Sequence, residues 1–130
     1  MKSYKDLDVY NRSYSLAIEI HSISHTLRDK HEYELSDQIK RASRSVPSNI
    51  AEGFGRGKSS KDTVNQLRTA LGSADEMIFN IEFMRDVNLI DKSLFDKFFN
   101  EYTITAKQLF KLIESLEKSI AKDQQPKTNN

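Results

Sequence analysis

Leu35-Ser36-Asp37-Gln38-Ile39-Lys40-Arg41-Ala42-Ser43-Arg44-Ser45-Val46-Pro47-Ser48-Asn49-Ile50 is the stretch on which the fold turns. Its apolar residues Leu35, Ile39, Ala42, Val46 and Ile50 are spaced four, three, four and four apart, the repeat of one face of a helix. Pro47 interrupts that repeat. Proline lacks the N–H that would bond four residues back, and its ring presses on the preceding turn. Either one helix continues with a kink near Ser43 to Pro47, or one stops at Val46 and another starts at Pro47. The stripe stays in register to Ile50, so a single kinked helix is the expected form. Gly53, Gly55 and Gly57 then stop it.

The same period extends in both directions. From about Asp6 to Arg28, one stripe holds Leu7, Tyr10, Tyr14, Ala17 or Ile18, and His21, and a neighbouring stripe holds Leu16, Ile20, Ile23 and Leu27. Ser3 and Asp6 have capping-box spacing at its start, and so do Ser59 and Asp62 before the third run. That run carries Val64, Leu67, Leu71, Ala74, Ile78, Ile81 and Met84 or Arg85. Gly72 is a poor helix former in its middle; beside Ala70 and Ala74 its expected use is close helix approach. Asp91 is the expected cap of a last helix, in which Leu94, Phe98, Ile104 or Thr105, Leu109, Leu112, Leu116 and Ile120 keep the pattern to about residue 120. The fold class that follows is all-α. The architecture expected is an antiparallel up-down-up-down four-helix bundle over residues 1–121, with a disordered polar tail at 122–130.

The remaining composition excludes more than it suggests. A chain of 130 residues has room for one domain. It has no cysteine, which removes disulfides, thiol nucleophiles and cysteine-based zinc sites. No run of about 18 apolar residues offers a membrane span. No apolar segment follows Met1-Lys2-Ser3-Tyr4-Lys5-Asp6, so a cytoplasmic setting is expected. Gly53-Phe54-Gly55-Arg56-Gly57-Lys58-Ser59 resembles a phosphate-binding loop, but three residues separate Gly53 from Gly57 where four are needed, and a helix precedes it where a strand belongs. The glycines therefore read as a helix–helix loop, with Arg56, Lys58 and Lys61 beside the free N–H groups of the next helix. His21 and His25 are four apart and able to face one metal ion, yet two ligands are not a site and no Glu-x-x-His accompanies them. On that pattern His21 is semi-buried and His25 lies on a polar face. No Gly-x-Ser-x-Gly frames a nucleophile. Neither enzymatic activity nor a cofactor is expected.

Charge placement says more than total charge. The formal net charge is +1. Between Gln38 and Lys61, however, Lys40, Arg41, Arg44, Arg56, Lys58 and Lys61 stand against Glu52 alone, a local charge of +5. From Asp62 to Glu101 the balance is −4. Those six basic residues are the candidate surface for RNA or DNA phosphates, or for an acidic protein partner. Aromatic residues crowd the last helix. Phe95, Phe98, Phe99, Tyr102 and Phe110 cannot share one seam, because Phe98 and Phe99 point about 100° apart. Surplus apolar surface on a small bundle points to self-association, and Phe95, Phe99 and Tyr102 are the candidate oligomer interface.

The run Gln38-Ile39-Lys40-Arg41-Ala42-Ser43-Arg44-Ser45-Val46-Pro47-Ser48-Asn49-Ile50-Ala51-Glu52-Gly53-Phe54-Gly55-Arg56 resembles the hallmark of the small four-helix proteins encoded in intervening sequences of bacterial 23S ribosomal RNA genes, sometimes labelled S23 proteins. Tyr4-Lys5-Asp6-Leu7-Asp8-Val9-Tyr10 is similar to that family's start, where Tyr10 usually has Trp in its place. Leu67-Arg68-Thr69-Ala70-Leu71-Gly72-Ser73-Ala74-Asp75-Glu76 is similar to its third-helix motif. The resemblance implies a ring-like homo-oligomer, a pentamer in relatives, and not a structural component of the ribosome. A related bundle, the accessory variability determinant of diversity-generating retroelements, resembles a basic pentamer that binds nucleic acid. By position it implicates Lys40, Arg41, Arg44 and Arg56.

Overall fold

Leu35, Ile39, Ala42, Val46 and Ile50 all turn inward, and Ile39, Val46 and Ile50 are wholly enclosed. The computed structural model describes residues 1–124. A 3-10 turn, Tyr4–Asp6, precedes α1 (Asp8–Asp29), α2 (Tyr33–Gly53), α3 (Ser60–Asp86) and α4 (Lys92–Asp123), with no strand among the described residues. Helix α2 is continuous through Pro47, which is itself buried. A single helix is thus the form adopted. Its ring costs one backbone hydrogen bond, and the flanking Val46 and Ile50 stay in the core, where their burial offsets that loss.

The helix starts follow the sequence. Ser3 and Asp6 form a reciprocal capping box, although what they cap is the 3-10 turn, and α1 begins two residues later than expected. Ser59 and Asp62 form a second box at α3. Asp91 accepts from the Leu94 N–H at 2.8 Å. Two connections turn on left-handed residues other than glycine, His31 (φ 64°) and Asn88 (φ 61°). In each, the following N–H reaches back to the last turn, Glu32 to the Leu27 carbonyl at 2.9 Å and Leu89 to the Met84 carbonyl at 2.8 Å. That closes both helices without a glycine. The α2–α3 loop does use one, since Gly57 has φ 77°.

Each helix packs on its neighbours in sequence, and α1 meets α4 to close the set. Ion pairs and hydrogen bonds give the order. Asp8 meets Gln108, Arg12 meets Glu101, and Glu19 meets Lys97, so numbers rise along α1 as they fall along α4. Across α2 and α3 the same reversal joins Ser45 to Ser73 and Gly53 to Thr63. The core is one cluster, with Ile20, Leu27, Leu67, Met77, Ile81, Met84, Phe98, Tyr102 and Leu109 fully enclosed.

Four expectations are corrected, the first being that His21, expected to be semi-buried, is exposed. Gly72 lies on an exposed side of α3, where an added Cβ would meet nothing within 4 Å, so it serves no close approach in the chain. The tight glycine is Gly53, whose Cβ would sit 3.0 Å from Gln66 Cβ. On α1, Tyr14 and Ile18 are exposed: the core is centred on Leu16, Ile20 and Leu27, and of the other stripe only Leu7, Tyr10 and Ala17 reach it. Lys122 and Asp123, expected in the tail, are the end of α4; residues 125–130 lie outside the described residues.

Candidate functional site

Helix α2 is amphipathic around its full circumference. With Ile39, Val46 and Ile50 fixed in the core, Arg41, Arg44 and Ser48 are carried to the opposite, exposed side. Arg41, Arg44, Ser45, Ser48 and Asn49 line one shallow groove of about 310 Å³. A second groove beside it, of about 220 Å³, holds Gln38, Arg41, Ala42, Ser45, Ser73 and Glu76 between α2 and α3.

The floor between these arginines is a small hydrogen-bonded set. Asn49 donates its amide to the Ser45 carbonyl at 2.8 Å and to Ser45 Oγ at 2.9 Å. Ser73 Oγ donates to Ser45 Oγ at 2.8 Å, joining α3 to α2. Ser45 Oγ is thus held between the Asn49 amide and the Ser73 hydroxyl. Short side chains keep the surface low. Two guanidiniums and a hydroxyl donor beside it form an arrangement suited to an oxyanion such as a phosphodiester.

The structure brings Arg41 and Arg44 together and leaves the other candidates apart. Lys40 is half-buried on α2 and lines neither groove. Arg56 and Lys58 are exposed in the loop after α2. Lys61 lines a different groove with Val64, Asn65, Arg68, Glu117 and Ile120, where α3 begins and α4 ends. There Arg68 is already engaged with Glu117 at 2.7 Å. One property unites all six. Among the described residues none of the six has a carboxylate within ion-pair distance, as holds also for Lys2, Lys5, Lys30, Lys107 and Lys111, whereas the remaining arginines, Arg12, Arg28, Arg68 and Arg85, are all paired. Asp62 is committed to its cap: hydrogen bonds from the Ser59 backbone and hydroxyl hold its carboxyl below the usual range.

The aromatic candidates divide. Tyr102 is wholly enclosed in the core and reaches no surface, so it forms no part of an oligomer interface. It shares a stripe with Phe98, four residues earlier, and that pair faces inward. Phe95 is half-buried, stacked on Phe99 with ring centres 5.2 Å apart, and Arg85 covers its other side at 4.3 Å. Phe99 remains on the surface. The most exposed aromatics are Phe79 (68%) and Phe110 (59%), neither of them among the candidate interface residues. Ser45 and Ser48 were likewise not singled out. Their signal was position, since each lies three or four residues from a groove arginine. No three His, Cys, Asp or Glu side chains converge on a metal position, and no helix is long and apolar enough to cross a membrane, among the described residues.

The fold and its motifs agree with what is found in comparison with other proteins. A solved structure from Bacteroides thetaiotaomicron VPI-5482, a protein of unknown function from the S23 ribosomal protein family, matches with TM-score 0.76 and 26% identity, over 82% of this chain and 95% of that one. No curated protein matches. The model of the 23S rRNA-intervening sequence protein family matches residues 5–111, a span that holds α1, α2, α3, the groove arginines and most of α4. The chain belongs to the 23S rRNA-intervening sequence protein family.

Proposed function

We propose that this chain is a non-enzymatic, self-associating bundle of the cytoplasm that binds nucleic acid, with structured RNA as its leading substrate. Contact is made by the outer face of α2. The observation that carries this reading is the pair Arg41 and Arg44, both without carboxylate partners, in one groove with the hydroxyls of Ser45 and Ser48. An unpaired guanidinium takes a phosphate without first giving up an internal partner, and each phosphate engaged releases condensed counterions. Arg56 and Lys58, exposed and unpaired in the loop, extend the positive field beyond the groove. Self-association is supported by Phe79, Phe83, Phe99 and Phe110, exposed on the α3–α4 half of the molecule. Repetition of the α2 face around a ring, five-fold as the family resemblance implies, would multiply a weak single contact.

Fluorescence anisotropy with structured RNA and duplex DNA, across a salt series, tests the proposal. Binding that weakens with salt is expected, with the log–log slope reduced by about 2 in the Arg41→Gln/Arg44→Gln double variant. Failure of the wild-type chain to retain either nucleic acid at low ionic strength would overturn it. A second reading rests on Arg41 and Glu76 sharing one groove, which pairs the basic face of one chain with the acidic α3 of another. On that reading the chain is a protein-interaction scaffold. If charge reversal at Arg41 and Arg44 lowers the sedimenting mass and nucleic acid is never bound, the scaffold reading stands instead.

A further inference from the structure

His21 and His25 sit one turn apart on the outer side of α1, both exposed, with their Nε2 atoms 3.2 Å apart and the rings at 80°. Sequence spacing allowed the two rings to share a helix face; it did not fix where the nitrogens point. The two Nε2 atoms, the ring nitrogens farthest from the backbone, lie within hydrogen-bond distance of each other. Two imidazole nitrogens, each bound to one ion at about 2.0–2.1 Å, lie about 2.9–3.3 Å apart across a right or tetrahedral angle. The observed separation falls in that window, so the pair already has the spacing that a chelated ion requires. We infer that His21 and His25 form a two-nitrogen chelate for a borderline divalent transition ion of the Cu²⁺, Ni²⁺ or Zn²⁺ class.

Imidazole pairs select such ions over Mg²⁺ and Ca²⁺, which require oxygen ligands. Among the described residues no third ligand completes a cluster, so water fills the remaining positions and the ion exchanges freely. The site stands apart from the α2 arginines and does not depend on the nucleic-acid reading. His31 provides an internal control, because it is exposed like the other two, while its Nδ1 lies 2.8 Å from the Tyr33 hydroxyl and no second histidine faces it.

Isothermal titration of the tag-free full chain with Ni²⁺ tests the inference, using the single variants His21→Gln, His25→Gln and His31→Gln. The expected result is one Ni²⁺ per chain, with affinity reduced more than ~10-fold in either His21→Gln or His25→Gln, since even loss of an outer-shell partner costs that much. His31→Gln keeps wild-type affinity, and excess Mg²⁺ does not compete. Circular dichroism confirms that each exposed substitution leaves the helices intact. Equal affinity in wild type and His25→Gln, or an equal loss in His31→Gln, overturns the chelate.

Discussion

The seam between α2 and α3 and the seam between α1 and α4 solve the same problem with opposite materials. At α2–α3, small groups let the backbones approach. Gly53 rests against Gln66, Thr63 Oγ1 donates to the buried Gly53 carbonyl at 2.7 Å, and Ser73 meets Ser45. At α1–α4, long side chains span the gap through Arg12 with Glu101, Lys97 with Glu19, and Gln108 with Asp8 at 2.6 Å. A groove of about 580 Å³ runs along that seam. The polar atoms buried without partners belong here too: Arg12 Nε and Gln108 Oε1 on the bridging side chains, and the hydroxyl of Tyr102, which feels the charge of Glu19. Helices joined by a short loop are held close by the chain itself, and short polar ties suffice. The two ends of the chain have no such tether, and long side chains reach across a wider, wetter gap.

Three substitutions break or sharpen that contrast. The largest effect is expected from Thr63→Val, which keeps the shape of the side chain and leaves the buried Gly53 carbonyl without its donor. Urea unfolding is expected to show a loss of about 1–3 kcal/mol. A loss of no more than a few tenths would mean that the α2–α3 tie carries no weight. Next is Tyr102→Phe, expected to raise stability by about 1 kcal/mol, because the hydroxyl is desolvated with no partner. It also has a pH signature. Burial, with Glu19 adding to it, pushes the phenol well above its ordinary value. The folded chain then keeps a proton that the unfolded chain gives up, so wild-type stability falls as pH rises above about 10. Tyr102→Phe should flatten that decline, and an unchanged alkaline limb would refute the assignment. The smallest effect is expected from Glu101→Gln. Arg12 and Glu101 are 25% and 30% exposed, so water and salt screen the pair, and the cost should stay below about 1 kcal/mol. A larger cost would make the α1–α4 bridge as firm as its counterpart.

Which parts of this were legible in the sequence follows from what each signal measures. Periodicity reports the side of a helix that meets the core. It therefore identified Leu35, Ile39, Ala42, Val46 and Ile50, and both capping boxes, which are local by nature. It gave less on α4, where two aromatic pairs share four-residue spacing. Phe98 with Tyr102 is the buried pair and Phe95 with Phe99 the rim pair. The choice between them depends on the rotation of α4 against α3 and α1, a tertiary quantity absent from a single helix. Gly72 was misread for a related reason. Its neighbours Ala70 and Ala74 are wholly buried, and a 100° step per residue carries Gly72 to the far side. At the candidate site, charge counting found all six basic residues. It did not separate Arg41 and Arg44 from Lys40 and Lys61, because a tally along the chain ignores the direction each side chain leaves the helix.

Helix α4 has 32 residues and α1 has 22, so one is longer by about 15 Å. The first residue of α1, Asp8, is already level with Gln108, and the 3-10 turn before it packs on α1 and α2 rather than on α4. The last three turns of α4 therefore run past the start of α1 and meet the start of α3, through Arg68 with Glu117 and a groove that Val64 and Ile120 line. In deuterated solvent that overhang should act as its own cooperative unit. Its amide protons are expected to exchange well before those of the four-sided part of the bundle, where no helix opens without uncovering its neighbours.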